Sequence, residues 1–147
     1  MRLVASLITI SSIMLFSVSA SALERFAGIE DGSDANLKAV CQAYMVNSYL
    51  KNDPELFFHL LPKSMVSRAE RLEKVWYEDH FKRFGSEPLT KYDVFEMEDK
   101  LIDKMHKGHK IKRIKIKYKA GIMESIKRSS CGFEQFENKR WYFVQKP

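Results

Sequence analysis

Apolar residues recur three and four positions apart in the first part of the chain, which is the spacing of one α-helical face. The residues that carry this pattern are Leu37, Val40, Cys41, Tyr44 and Met45. They predict a helix over residues 35–50 with Cys41 on its buried side. Ser33 or Asp34 is suited to cap its start, because a short polar side chain can accept a hydrogen bond from a free backbone N–H.

Two further helices are predicted from the signals at their ends. Asp53 is suited to cap a short apolar helix over residues 54–61, which begins with a proline and is followed by another. A third helix is predicted over residues 65–84, because Ser64 can cap its start and Gly85 can end it. The first half of the chain is therefore helical.

The spacing of apolar residues changes to two in the second half of the chain, which is typical of strands. The clearest example is Ile114, Ile116 and Tyr118, which alternate with basic residues. Further strands are predicted around Tyr92 and Val94, over 122–126, over 131–136 and over 141–144. Gly132 marks a candidate bulge because the apolar alternation shifts there, and residues 137–139 indicate a hairpin turn.

Helices that precede an antiparallel meander predict an α+β fold. We expect the N-terminal helices to pack on one face of a curved antiparallel sheet of about four strands. One solvated face explains why apolar and basic residues alternate so regularly in the clearest strand.

The start of the chain has a different pattern. Arg2 provides a positive charge, residues 3–18 are apolar apart from Ser and Thr, and residues 20–22 read Ala-Ser-Ala. This is the pattern of a secretory signal peptide with a small-residue cleavage site. We therefore expect a single periplasmic or secreted domain over residues 23–147, with no stable membrane span after cleavage. Retention of residues 1–22 as an uncleaved anchor is the open alternative.

Charge is distributed unevenly along the chain, whose formal net charge is +6. Residues 23–103 contain 11 Lys and Arg against 16 Asp and Glu, a net charge of −5. Residues 104–147 contain 13 against 3, a net charge of +10. In an exported protein this asymmetry favours an acidic protein or an anionic envelope component as the partner, rather than nucleic acid.

The strongest surface feature is a row of four cations on one predicted strand: Arg113, Lys115, Lys117 and Lys119. Alternate residues of a strand stand about 7 Å apart on one face, a spacing that suits a polyanion or the acidic edge of a protein. The alternative is a solvated strand face whose lysines discourage aggregation. Nucleic-acid binding is not expected, because no aromatic residues interleave with the cations on that face of the strand and because the signal peptide exports the chain.

Cys41 and Cys131 are the only cysteines in the sequence. An even number of cysteines in an exported chain favours a disulfide, which here would tie the first helix to a late strand. The alternative is a pair of buried thiols that behave as small apolar side chains.

Two segments carry a resemblance to a known family. Residues 41–58, which begin CQAYMVNSYLKNDP, look like the first two helices of nuclear transport factor 2-like domains. Residues 138–143, NKRWYF, are similar to their final strand, where a turn is followed by a tryptophan. The resemblance implies a cystatin-like α+β cone. It does not imply one function, since members include enzymes, binding domains and assembly components.

Enzymes of the resembled family often place Asp, Tyr and His in the mouth of the cone. The candidate pocket residues here are Tyr44, Tyr77, His80 and Tyr92. None of them falls in a motif specific enough to carry a role, so no catalytic residue, cofactor-binding residue or cofactor is assigned. His80 is also explained as a histidine at the edge of the core, bonded to a nearby carboxylate or carbonyl.

Asp103, His106 and His109 have the chemistry of metal ligands and a spacing of three. On a helix that spacing would bring them together, but Gly108 interrupts the segment. A solvated turn between strands is the better interpretation, and no metal site is assigned.

These observations favour a small exported binding domain that is not an enzyme and that contacts an acidic protein or an anionic envelope component through its basic strand. The alternative is a domain of the same fold with a small-molecule or enzymatic pocket. That alternative requires an enclosed cavity containing a polar group.

Overall fold

Within residues 23–147 three α-helices precede five antiparallel strands, so the predicted α+β class is confirmed. The computed structural model describes residues 23–147, and the predicted signal peptide, residues 1–22, lies outside the described part of the chain. No helix within residues 23–147 is both long enough and apolar enough to cross a membrane.

The first predicted helix is two helical segments joined end to end. α1 spans Asp34–Ala43, and the Ser33 Oγ accepts a hydrogen bond from the Asn36 N–H at 3.3 Å. A π-helix follows over Tyr44–Leu50. The wider π-helical turn was not predicted, because apolar spacing alone does not distinguish it from an α-helix. It places Tyr44, Met45, Ser48 and Tyr49 in the interior.

Two shorter segments lead into the longest helix. α2 spans Glu55–Leu60, and a 3₁₀ segment over Lys63–Arg68 precedes α3 over Ala69–Phe84. The third helix was expected to begin at residue 65, but its first turn is 3₁₀ and lacks a side-chain cap. Gly85 ends α3 with φ +83°, a conformation that glycine adopts without steric cost.

The sheet is built around one long strand. β1 spans Val94–Met97, β2 Ile102–His106, β3 His109–Lys119, β4 Lys127–Gln135 and β5 Trp141–Gln145. The order is β1-β3-β4-β5, and β2 pairs with the first half of β3. β1 and β2 therefore share one edge of β3 and leave a short break between them.

Two predicted boundaries in the sheet are wrong. Residues 122–126 form a turn and bends rather than a strand, and β4 begins at Lys127. Residues 102–106 form β2, so the turn expected between Asp103 and His109 is confined to Lys107 and Gly108. All of β2 is exposed, so it lacks the apolar alternation by which strands are recognised.

The core lies between the helices and the inner face of the sheet. Ile114 and Tyr118 of β3 are fully buried there, as are Leu37 of α1 and Phe133 of β4. The predicted irregularity at Gly132 is present as a register shift between β4 and β5. The helices thus cover one face of the sheet and leave the other face free to form a site.

A disulfide joins Cys41 of α1 to Cys131 of β4, as predicted. Their Cα atoms are 5.9 Å apart and the bond spans a sequence separation of 90. Cys131 pairs across the sheet with Ile114 of β3. The crosslink therefore fastens the first helix to the centre of the inner face.

Candidate functional site: a basic groove on the outer face of the sheet

The cations of β3 stand on the face of the sheet that the helices do not cover. Ile114, Ile116 and Tyr118 point inward and are buried. Because side chains alternate along a strand, Lys115 and Lys117 point to the other face. The sequence prediction of one apolar and one basic face of this strand therefore agrees with the burial pattern.

Three of the four predicted cations line a groove of about 450 Å³, hereafter the basic groove. The groove lies beside the break between β1 and β2 and extends onto β4. Its residues are Glu96, Met97, Glu98, Ile102, Arg113, Lys115, Ile116, Lys117, Arg128, Ser129 and Ser130. Lys119, the fourth predicted cation, does not line the groove and lies further along β3, opposite Val94.

Strand register brings the cations of β3 and β4 together. Lys117 is directly opposite Arg128, and Lys115 is opposite Ser130. Residues that are opposite each other in an antiparallel pair have Cβ atoms about 5 Å apart. The groove therefore concentrates positive charge beside a serine that can donate a hydrogen bond to an anion.

Most of this positive charge has no ion-pair partner in the part of the chain that the structure describes. Lys117 Nζ lies 3.3 Å from the Glu96 carboxylate. Within residues 23–147 no carboxylate forms an ion pair with Arg113, Lys115 or Arg128. The Arg113 Nε is buried and has no hydrogen-bond partner among the same residues. Within the described residues, the charges of Arg113, Lys115 and Arg128 are therefore not neutralised by an ion pair.

Sequence reasoning missed the contributions of Arg128, Ser130 and Glu96 to the groove. Arg128 and Ser130 lie in β4, where the predicted strand began four residues too late. Glu96 reaches Lys117 because β1 pairs with the far end of β3. The spacing of residues within a strand does not determine its register with the next strand, so these neighbours could not be identified from the sequence.

The four candidate pocket residues do not form one site. Tyr44 is buried in the core, and the Tyr92 hydroxyl donates a hydrogen bond to the Met45 carbonyl at 2.5 Å. Tyr77 and His80 do line a common surface groove of about 550 Å³ beside the end of α3. The structure therefore brings two of the four together and separates the other two.

His80 is held by the backbone of the π-helix. Its Nε2 lies 2.6 Å from the Tyr49 carbonyl oxygen. A carbonyl only accepts hydrogen bonds, so the proton of a neutral ring lies on Nε2. The bond to a carbonyl agrees with the interpretation of His80 as a histidine at the edge of the core.

A polar cluster closes the interior at the end of α3. Arg83 donates hydrogen bonds to the hydroxyls of Tyr118 and Tyr49 at 2.9 Å and 3.0 Å. It also donates to the Pro147 carbonyl at 3.1 Å and to the Asp79 carboxylate at 2.8 Å. These groups satisfy one another, so the cluster serves as a structural bridge between α3, the sheet and residue 147.

Aromatic side chains fill the space behind that cluster. Tyr44, Tyr49 and Trp76 contact one another with ring centroids 5.2 to 6.0 Å apart. Burial raises the pKa of the Tyr44 hydroxyl well above its ordinary value. Within the described residues this hydroxyl, the Ser48 hydroxyl and the Trp76 Nε1 are buried without a hydrogen-bond partner.

The candidate metal ligands are divided between the two faces of the β2–β3 hairpin. His106 and His109 are directly opposite each other beside the turn, whereas Asp103 pairs with Lys112. Asp103 and His106 are three positions apart on a strand and point to opposite faces. Within residues 23–147, no three side chains of the metal-binding types are grouped so that they could hold an ion.

Comparison with known proteins adds no assignment to the basic groove. Neither a protein-family model nor a curated protein nor a solved structure gives a significant match to this chain. The function must therefore be argued from the chemistry of the groove itself.

Proposed function

We propose that the chain is an exported, non-enzymatic binding domain of nuclear transport factor 2-like shape. Its ligand is an acidic protein or an anionic component of the envelope, and the ligand occupies the basic groove. The observation that carries the proposal is a set of cations on one concave surface, Arg113, Lys115 and Arg128, that form no ion pair within residues 23–147. Among the described residues, four cations and two carboxylates line the groove, and an excess of positive charge in a concave site raises the local concentration of anions.

Aromatic side chains fill the interior, which favours binding at the surface rather than in an internal pocket. Tyr49, Trp76 and Phe84 are at most 2% exposed and occupy the space between helices and sheet. A pocket enzyme requires an enclosed cavity with convergent polar groups. Arg83, the cation that borders that space through its hydrogen bonds to Tyr49 and Tyr118, is also paired with Asp79.

The signal-peptide pattern and the disulfide support an exported location. Disulfides persist in oxidising compartments and are rare in the cytosol. Anionic polymers and acidic surfaces of the envelope are therefore the relevant partners, and the net charge of +10 over residues 104–147 suits them.

Charge reversal of the two most exposed groove cations tests this function. Lys115→Glu with Arg128→Glu leaves the ion pair between Lys117 and Glu96 in place. We expect the double variant to bind anionic envelope material about tenfold more weakly at low salt, a loss of about 1.4 kcal/mol. Binding is measured by co-sedimentation over a range of salt concentrations, because screening must weaken a charge-driven interaction.

A matched control separates the groove from net charge. Lys74→Glu with Lys91→Glu changes the net charge by the same amount at two exposed lysines outside the groove. We expect this control to retain most of the binding. Equal losses in the two double variants, or unchanged binding of the groove variant at low salt, would contradict the proposal.

A further inference from the structure

We propose that the ligand of the basic groove is an extended acidic peptide whose carboxylates stand at alternate positions. This inference rests on the proposed function and adds the identity and conformation of the ligand. It is carried by the spacing of the cations, by an ion pair of the same kind inside the chain, and by the apolar part of the groove.

The spacing of the cations matches that of an extended peptide. Arg113, Lys115 and Lys117 follow one another at every second residue of β3, so their side chains stand about 7 Å apart in a row. In an extended peptide the side chains at alternate positions have the same repeat and point to one side. Consecutive carboxylates would point alternately towards the groove and away from it. Only alternation places each carboxylate opposite a cation.

The chain already contains one example of this pairing. Glu96 belongs to the extended strand β1, and its carboxylate lies 3.3 Å from Lys117 Nζ. Glu98, two residues further along, also lines the groove. A carboxylate on an extended backbone can therefore reach a cation of β3 from beside it. The two cations that precede Lys117 in the row, Arg113 and Lys115, have no such partner within residues 23–147.

An exposed apolar side chain in the groove favours a peptide over a polyanionic polymer. Ile102 lines the groove opposite Arg113 and is 38% exposed. A peptide presents apolar side chains together with carboxylates. A phosphate or sulfate polymer offers little to bury against Ile102, and burial of apolar surface is worth about 25 cal/mol per Å².

Two peptides of identical composition test the proposal. One alternates serine with aspartate, and the other has all its serines before all its aspartates, so the two have equal net charge. Each has four residues of each type, blocked ends and one fluorophore. We expect the alternating peptide to bind the protein, residues 23–147 with the disulfide intact, about tenfold more tightly. Fluorescence anisotropy measures both dissociation constants at the same low salt concentration.

Groove variants show whether the preference arises from β3. Lys115→Gln with Lys117→Gln removes two adjacent cations of the row without introducing repulsion. We expect this variant to bind the two peptides equally weakly, while Lys74→Gln with Lys91→Gln retains the tenfold preference. Circular dichroism and a thermal melt establish that every variant is folded before its binding is compared.

The outcomes distinguish this inference from the proposed function. Equal affinity of the wild-type protein for both peptides, with both lost in the Lys115 and Lys117 variant, would overturn the alternating register and leave the anion-binding function in place. Binding to phosphatidylglycerol vesicles but to neither peptide would replace the peptide by a lipid surface. Binding to neither peptide nor vesicles, with no effect of the groove charge reversal on envelope material, would overturn both proposals.

Discussion

The two faces of β3 have the same backbone and opposite chemistry. On the inner face Ile114, Ile116 and Tyr118 are almost completely buried against the helices. On the outer face Lys115 and Lys117 line the basic groove. Alternate residues of one strand therefore serve different purposes, because the inner set contributes apolar burial and the outer set contributes charge to a surface.

The comparison predicts which substitutions should change the stability of the protein and which should change its binding of a ligand. The disulfide and the aromatic cluster lie on the inner side, so changes there should alter the free energy of unfolding. Lys115 and Arg128 on the outer side are exposed and form no ion pair within residues 23–147, so changes there should alter ligand binding and leave the fold intact. Each of the following predictions tests this separation, starting with the largest expected effect.

Alkaline pH should unfold the protein, because it destabilises the core on the inner face of the sheet. Burial raises the pKa of four tyrosines, Tyr44, Tyr49, Tyr92 and Tyr118. Tyrosine in the unfolded chain titrates near pH 10, so above about pH 10 the unfolded state loses protons that the native state retains, and stability falls as pH rises. We expect cooperative unfolding together with tyrosinate formation, followed by circular dichroism and ultraviolet absorbance.

A pair of variants sharpens the alkaline experiment. Tyr44→Phe removes a buried hydroxyl that has no hydrogen-bond partner within residues 23–147, so alkaline unfolding should move to higher pH without loss of stability at neutral pH. Tyr92→Phe removes the hydrogen bond to the Met45 carbonyl and should cost about 1 kcal/mol at neutral pH. An unchanged alkaline midpoint in Tyr44→Phe would contradict the role of burial.

Loss of the disulfide should be the next largest effect. Cys41→Ala with Cys131→Ala releases a crosslink between residues 90 apart in sequence, for which the chain-entropy model gives about 4 kcal/mol of stability. Urea unfolding of the variant and of the oxidised protein measures the difference. The folded fraction of this variant should bind an anionic ligand in the basic groove as tightly as the oxidised protein does. A loss below about 1 kcal/mol would show that the bridge contributes little to the inner face.

Substitutions at two neighbouring residues of β3 should change the free energy of unfolding by very different amounts. Ile114→Ala should lower the free energy of unfolding by about 3 kcal/mol, since it leaves a cavity opposite Cys131. Lys115→Ala should change it by no more than about 0.5 kcal/mol, because its side chain is exposed. Denaturant midpoints of the two variants test the separation. Similar losses in both would show that the two faces are not energetically distinct.

Local sequence signals predicted the helices and the central strand well. The Ser33 cap, the Gly85 stop and the alternation around Ile116 depend on residues close together in sequence, and all three are present. The π-helix and the strand β2 were missed for physical reasons. Apolar spacing does not distinguish a π-turn from an α-turn, and a strand exposed on both faces has no apolar alternation to detect.

The candidate site was predicted in part. The row from Arg113 to Lys119 was visible in the sequence, but the groove excludes Lys119 and includes Arg128 instead. The candidate pocket was predicted less well, because Tyr44 is buried while Tyr77 is 44% exposed. Helical spacing shows which residues share a face but does not show what that face packs against.

The arrangement of helices before strands, the disulfide partners and the two chemically distinct sides of β3 follow from the amino-acid sequence, because each depends on local periodicity or on a simple count. The basic groove follows only from the tertiary structure. Arg128 and Glu96 lie on strands adjacent to β3, and their positions beside Lys117 are set by strand register. Register arises from packing of the whole sheet against the helices, so long-range contacts and not local spacing determine which charges meet.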